Sequence, residues 1–190
     1  MSATRRLGLG ALALGLAAPF AGSPYRSARG HLDVEAIARA IDEGADHVGA
    51  RTLARWIRER RPGLRVIDVR PADAFGEDAI PTAENLPLDR LVRSSFAPDQ
   101  TVVLYSQEGA HAGQAWVLLR ALGVANVLFV PGGLADWWDE VLSPAVPASL
   151  SPAEREEIAA LSRYFGGSPR IGATDAAPAE RPYRRRGCCT

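Results

Sequence analysis

Cysteine is nearly missing from this sequence, and so is any excess of charge. Only Cys188 and Cys189 occur among 190 residues, and both stand at the carboxyl end, which excludes a network of disulfides across the fold. Lysine plus arginine equals aspartate plus glutamate at 22 each, so net charge gives no argument for binding nucleic acid. No group of cysteine and histidine has the spacing of zinc ligands. We therefore predict no metal and no cofactor.

One long uncharged apolar run is present, and it lies near the amino end. Arg5 and Arg6 precede residues 7–20, and small residues follow at 21–23. As a helix, this run would span about 21 Å, which is too short for the hydrocarbon core of a bilayer. The order of basic, apolar and small residues predicts an export signal or leader over residues 1–23, with an uncleaved leader or a buried helix as alternatives. The expected location is the periplasm or cell envelope, with membrane contact only through an uncleaved leader.

The carboxyl end has little apolar periodicity from Gly166 onward, and proline and glycine interrupt it repeatedly. This composition predicts a disordered tail over residues 166–190 that ends in the two cysteines. Arginines at 184–186 would favour the thiolate form of Cys188 and Cys189. A flexible tail of this length could visit a site on the domain, so a reactive tail thiol is kept as an alternative.

Residues 33–165 have the pattern of one globular domain in which helices and strands alternate. Asp33 is placed to cap a first helix, and a second apolar helix ends before Pro62. Apolar runs at residues 64–69, 101–105 and 127–130 predict strands buried on both faces. Further helices are expected over residues 112–122, with Ala115, Leu118, Leu119 and Leu122 as the apolar face, and over residues 153–164 behind Ser151. The predicted fold is α/β, with a central parallel sheet and helices on both faces.

A set of spaced motifs over residues 51–142 resembles the rhodanese-like family. The motifs stand in the expected order: residues 66–70, Phe75 with residues 80–87, residues 102–105, Gly109, residues 119–123, residues 127–130, and Gly132, Gly133 and Trp137. In this family, as the resemblance implies, a cysteine after the central strand opens a six-residue loop and carries sulfur as a persulfide. The amides of that loop, at a helix N-terminus, stabilise the anion.

In this sequence the loop reads Ser106-Gln107-Glu108-Gly109-Ala110-His111, so the cysteine position holds Ser106. A serine oxygen cannot form a sulfur–sulfur bond, and its hydroxyl ionises far above neutral pH. His111 replaces the arginine that the resemblance implies, and Glu108 adds a negative charge. The resemblance therefore implies the fold of a sulfurtransferase without its activity.

The candidate ligand-binding residues are Ser106, Gly109, His111, Asp68 and Arg70, and no residue is assigned as catalytic. Asp68 and Arg70 are expected to pair with each other or with loop backbone, and the tryptophans are expected to pack in the core. We interpret the domain as a binding module for a small anion or a protein partner. The alternatives are a Ser106-dependent hydrolase with His111 as general base, a sulfurtransferase that uses a tail cysteine, and contacts made by the helical surface instead of the loop.

Overall fold

The structure, a computed structural model, describes residues 33–172. The predicted leader and the tail cysteines lie outside the described residues. Within residues 33–172, no helix is both long enough and apolar enough to cross a membrane.

Helices and short strands alternate along the chain. The first part comprises α1 (Val34–Asp42), α2 (Ala50–Arg58), β1 (Leu64–Asp68), α3 (Ala72–Glu77), β2 (Glu84–Asn85) and α4 (Leu88–Leu91). The second part comprises β3 (Thr101–Tyr105), α5 (Ala110–Ala121), β4 (Val127–Phe129), α6 (Gly133–Asp136), a π-helix (Trp137–Leu142), β5 (Ala145–Val146), α7 (Pro152–Tyr164) and β6 (Arg170–Ile171).

Four of the strands form one sheet in the order β2-β1-β3-β4, and all of its pairs are parallel. Alternate residues of the central strands enter two separate apolar clusters, with Val66 and Val103 in one and Ile67 and Leu104 in the other. Helix α2 packs in the first cluster and α5 in the second. The prediction of a parallel sheet with helices on both faces is confirmed, and burial on both faces explains the continuous apolar runs of the strands.

Two helices begin at the caps that the sequence indicates. The Asp33 side chain accepts a hydrogen bond from the Ala36 N–H at 2.9 Å. The Ser151 hydroxyl accepts from the Glu154 N–H at 3.3 Å, and the Glu154 carboxylate accepts from the Ser151 N–H at 2.9 Å, which is a capping box. Local sequence therefore sets where α1 and α7 start.

The predicted buried face of α5 is wrong in part. Leu118 and Leu122 are 42% and 44% exposed, whereas Ala112 and Trp116 are buried with Ala115 and Leu119. Apolar residues surround nearly the whole helix, so periodicity does not select one face. Trp116 and Trp137 are buried as predicted, and Trp138 is half-buried against the core.

Regular structure extends past Gly166, where the predicted tail begins. The Gly167 N–H donates to the Ser162 carbonyl at 2.9 Å, and β6 pairs with β5 in a second, two-stranded sheet. The short β6 has no apolar run, so composition places the boundary of the tail too early in the chain.

Candidate functional site

The loop of residues 106–111 lies at the carboxyl edge of the sheet. It leaves β3 after Tyr105 and leads into α5 at Ala110. Tyr105 is in register with Asp68, the last residue of β1. Because the carboxyl ends of parallel strands share one edge, Asp68 and the loop lie together, as their positions in the sequence imply.

Ser106 is buried beneath the first turn of α5. Ser106 is 2% exposed, and its hydroxyl oxygen accepts a hydrogen bond from the Ala112 N–H at 3.4 Å. Its carbonyl oxygen accepts from the Leu134 N–H at 2.9 Å. The first N–H groups of a helix have no acceptor within the helix and carry a partial positive charge. Ser106 is therefore at the position where such groups favour an anion.

Glycines hold the loop against the turn between β4 and α6. Gly109 has φ of +83°, and a side chain there would overlap the Pro131 carbonyl. Gly133 has φ of +60°, and a side chain there would overlap the Ser106 carbonyl. Both positions need a left-handed conformation and a close approach of two backbones, which only glycine permits.

Arg70 joins β1 to the loop through a buried cluster of side chains. Its guanidinium donates to both carboxylate oxygens of Asp68 at 2.8–3.1 Å, which confirms the predicted pair. It also donates to the Asp78 carboxylate at 3.0 Å, the Asp78 carbonyl at 2.5 Å and the Gln107 side-chain oxygen at 2.9 Å. All five of its N–H groups thus have acceptors. Arg70 holds the loop in place, and its donors are already engaged.

The charges around Arg70 keep it ionised. Burial lowers its pKa, but hydrogen bonds and attraction from Asp68 and Asp78 outweigh burial, so its pKa lies above the ordinary value. Asp68 is fully buried and Arg70 is 5% exposed, so each charge depends on the other for its solvation.

Tyr105 is buried beside Asp68 and Arg70, and the sequence interpretation missed its role. Burial raises the pKa of its hydroxyl, and the negative charge of Asp68 raises it further. Its hydroxyl oxygen accepts a hydrogen bond from the Ile80 N–H at 3.1 Å, which fixes the segment before Pro81. Its place as the last residue of a buried strand was the only signal in the sequence.

His111 and Glu108 lie on the exposed side of the loop. In the part of the chain that the structure describes, no hydrogen bond joins His111 to Ser106. The arrangement of a general base on the Ser106 hydroxyl, which the hydrolase alternative needs, is therefore not formed. Over residues 33–172 no cluster of three or more His, Cys, Asp or Glu side chains could hold a metal ion.

Residues 50–140 match the family model described as a rhodanese-like domain. An uncharacterized protein of Synechocystis sp. is 38% identical over 89 residues, covering 46% of this chain and 49% of that protein. The histidinol dehydrogenase of Rhodospirillum rubrum is 36% identical over 96 residues, covering 49% of this chain and 21% of that protein. The chain thus spans about half the length of the first relative and about a fifth of the second.

Solved structures resemble the same part of the chain. A rhodanese-like domain from Anabaena sp. is 28% identical, covers 48% of this chain and 71% of that chain, and has a TM-score of 0.45. A human single-domain sulfurtransferase is 24% identical, covers 48% and 93% of the two chains, and has a TM-score of 0.43. On the family match, residues 50–140 are a rhodanese-like domain. The chain thus contains a rhodanese-like domain, as its motifs predicted.

Proposed function

We propose that this rhodanese-like domain binds a small anion at the loop of residues 106–111 and does not transfer sulfur. The observation that carries the proposal is Ser106, buried at the end of β3 with its hydroxyl oxygen 3.4 Å from the Ala112 nitrogen. The N–H group beside this oxygen supports a site for an anion, and serine supplies no sulfur nucleophile.

The chemistry of sulfur transfer explains why this one residue decides the activity. In the reaction a thiolate attacks the outer sulfur of thiosulfate, a sulfur–sulfur bond forms, and sulfite leaves with the electron pair of the broken bond. Cyanide then takes the outer sulfur as thiocyanate and restores the thiolate. The Ser106 oxygen is a poor nucleophile at neutral pH and would have to form a sulfur–oxygen bond in place of the persulfide.

The charges near the loop limit how strongly an anion can bind. Asp68 and Asp78 both pair with Arg70, so that cluster supplies no free positive charge. Asp136 accepts a hydrogen bond from the Gly132 N–H at 2.9 Å, and Glu108 adds another carboxylate at the exposed side. Binding would depend on the N–H groups at the start of α5, so we expect weak affinity for small oxyanions.

The proposal includes export to the cell envelope, where the domain would act as a binding module. Its support is the arrangement of Arg5 and Arg6, the apolar residues 7–20 and the small residues that follow. A protein partner at the same loop is the alternative to a small anion.

Cyanide-dependent sulfur transfer from thiosulfate tests the proposal. The full chain should show no turnover, and Ser106→Cys should gain it, because the loop then holds a thiol under the helix N-terminus. Ser162→Cys is the matched control, since Ser162 is also buried but lies in α7 away from the loop. It should stay inactive.

Two results would contradict the proposal. Turnover by the unmodified chain that disappears in a Cys188→Ala, Cys189→Ala variant would assign catalysis to a tail thiol. Failure of Ser106→Cys to react, together with no protection of the domain by thiosulfate against thermal unfolding, would show that the loop does not accept the anion.

A further inference from the structure

A cavity lies at the edge of the sheet opposite to the loop of residues 106–111. Its volume is about 400 Å³, and its lining includes Thr101, the first residue of β3, and Val127, the first residue of β4. The five residues of β3 separate this edge from Ser106 by about 16 Å. The cavity is therefore distinct from the loop, and its size is within the range of small-molecule sites.

Two guanidinium groups line this cavity, and each lies over a tryptophan ring. The Arg61 guanidinium carbon lies 4.1 Å from the ring centre of Trp56, and that of Arg120 lies 5.9 Å from the ring centre of Trp116. All four side chains are part of the lining. Stacking on an aromatic ring fixes the plane of a guanidinium and leaves its edge available for a carboxylate or phosphate.

The charges of these two arginines are not balanced within the cavity. The lining residues include no aspartate and no glutamate. Over residues 33–172, neither Arg61 nor Arg120 forms an ion pair, whereas Arg51, Arg65 and Arg163 each pair with a glutamate. A chain with equal numbers of acidic and basic residues thus concentrates positive charge at one concave site.

Most of the hydrogen-bonding capacity of the arginines is also unused. In the described residues, Arg120 donates one hydrogen bond, to the Ala125 carbonyl at 2.6 Å, and its buried Nε has no acceptor. The Arg61 side chain donates none to residues 33–172. Thr101 is a further polar residue of the lining. An oxyanion would supply acceptors to the terminal N–H groups of both guanidiniums.

Apart from Asn126, whose side chain donates to the Pro98 carbonyl at 2.8 Å, the rest of the lining is apolar. Ala40, Ala45, Val127 and Leu128 form this part together with the indole rings. A ligand that fits such a surface has an apolar body as well as a charged group, because its body would be removed from water against these side chains.

We propose that this cavity binds a small organic oxyanion, a phosphate ester or a carboxylate with an apolar body, held by Arg61 and Arg120. The proposal is independent of the function proposed for the loop. Two positive charges with no acidic neighbour in the lining favour a doubly charged group, so a phosphate monoester should bind more tightly than a carboxylate of the same shape.

The test is a titration of the full chain with four probes at constant ionic strength, followed by tryptophan fluorescence and by thermal unfolding. Phenyl phosphate should bind most tightly. Benzoate tests the carboxylate, inorganic phosphate lacks the apolar body, and benzyl alcohol lacks the charge. Trp56 and Trp116 report binding directly, and a rise in the unfolding temperature reports it independently of fluorescence.

Arg61→Gln and Arg120→Gln should each weaken phenyl phosphate binding by about tenfold or more, because each removes charge-assisted hydrogen bonds. Arg93→Gln is the matched control, since Arg93 is exposed, forms no ion pair in residues 33–172 and is outside the lining. Its affinity should equal that of the unmodified chain.

Three results would overturn the proposal. The first is the absence of saturable binding of phenyl phosphate and benzoate by both readouts at millimolar concentrations. The second is equal weakening in Arg93→Gln and in the two lining variants. The third is binding of benzyl alcohol as tightly as phenyl phosphate, which would make the site an apolar cavity without a role for the arginines.

Discussion

Replacing Arg70 by methionine should destabilise the domain severely, because it leaves a buried carboxylate without its partner. Asp68 is fully buried and accepts three of the guanidinium's hydrogen bonds at 2.8–3.1 Å. After the substitution it would keep the Arg70 backbone N–H at 2.8 Å but no positive charge. Breaking a buried pair of this kind costs about 3–5 kcal/mol, out of a typical total of about 5–15 kcal/mol. Urea unfolding of the full chain, followed by tryptophan fluorescence, measures the loss as a lower midpoint.

The same substitution at Arg65 is the matched control. Arg65 also lies in β1 and pairs with Glu84 through two hydrogen bonds of 3.0 and 2.7 Å, but the two side chains are 23% and 49% exposed. Water screens this pair, so Arg65→Met should cost about 1 kcal/mol or less. Adding Asp68→Asn to Arg70→Met should recover part of the lost stability, since it removes the unpaired charge. Equal losses at Arg65 and Arg70 would refute the reasoning, because burial would then have no influence on the cost.

Two further predictions concern backbone strain and acid stability. Gly109→Ala should cost about 2–3 kcal/mol, because its φ of +83° is strained for alanine and the new methyl group would overlap the Pro131 carbonyl. Gly123→Ala is the control, because Gly123 has φ of +88° but no atom within 4 Å of the added methyl group; it should lose only about 1 kcal/mol, from backbone strain, in the same urea assay. Equal losses in the two variants would show that overlap with the Pro131 carbonyl does not contribute. The hydrogen bond from Arg65 lowers the pKa of Glu84, so this pair stabilises the fold above the unfolded-state pKa of about 4.3 and loses its effect as pH falls through the lower folded-state pKa. Urea midpoints from about pH 5 to about pH 3 should therefore fall slightly more in the unmodified chain than in Glu84→Gln, and identical profiles would contradict this prediction.

The sheet could be predicted from the sequence because its central strands are buried on both faces. Residues 101–105 were predicted as a strand, and β3 has the same bounds. The buried face of α5 could not be predicted, because a helix that is apolar nearly all round has no face that periodicity can select. Strand β2 has only two residues, Glu84 and Asn85, and its pairing with β1 depends on tertiary contacts rather than on any pattern along the chain.

The loop could be placed from the sequence because its motifs have fixed order and spacing. The side chains that hold it could not be identified in the same way. Asp78 is 8 residues from Arg70 and Gln107 is 37 residues away, and no periodicity connects these positions. Such a cluster forms only when the strands and the segments that follow them fold together, so it becomes visible only in three dimensions.

Most of the contacts that shape the loop are made by atoms other than the one that would perform the chemistry. Gly109 and Gly133 act through backbone conformation, and Arg70 acts through Asp78 and Gln107. The Ser106 hydroxyl contributes one hydrogen bond of 3.4 Å, near the limit of such bonds, so the loop depends little on it. The loop can therefore keep its shape whichever atom ends the 106 side chain, and a match to the fold alone cannot decide activity. The proposed function depends on the single atom at the end of the 106 side chain, so Ser106→Cys is the substitution that tests it most directly.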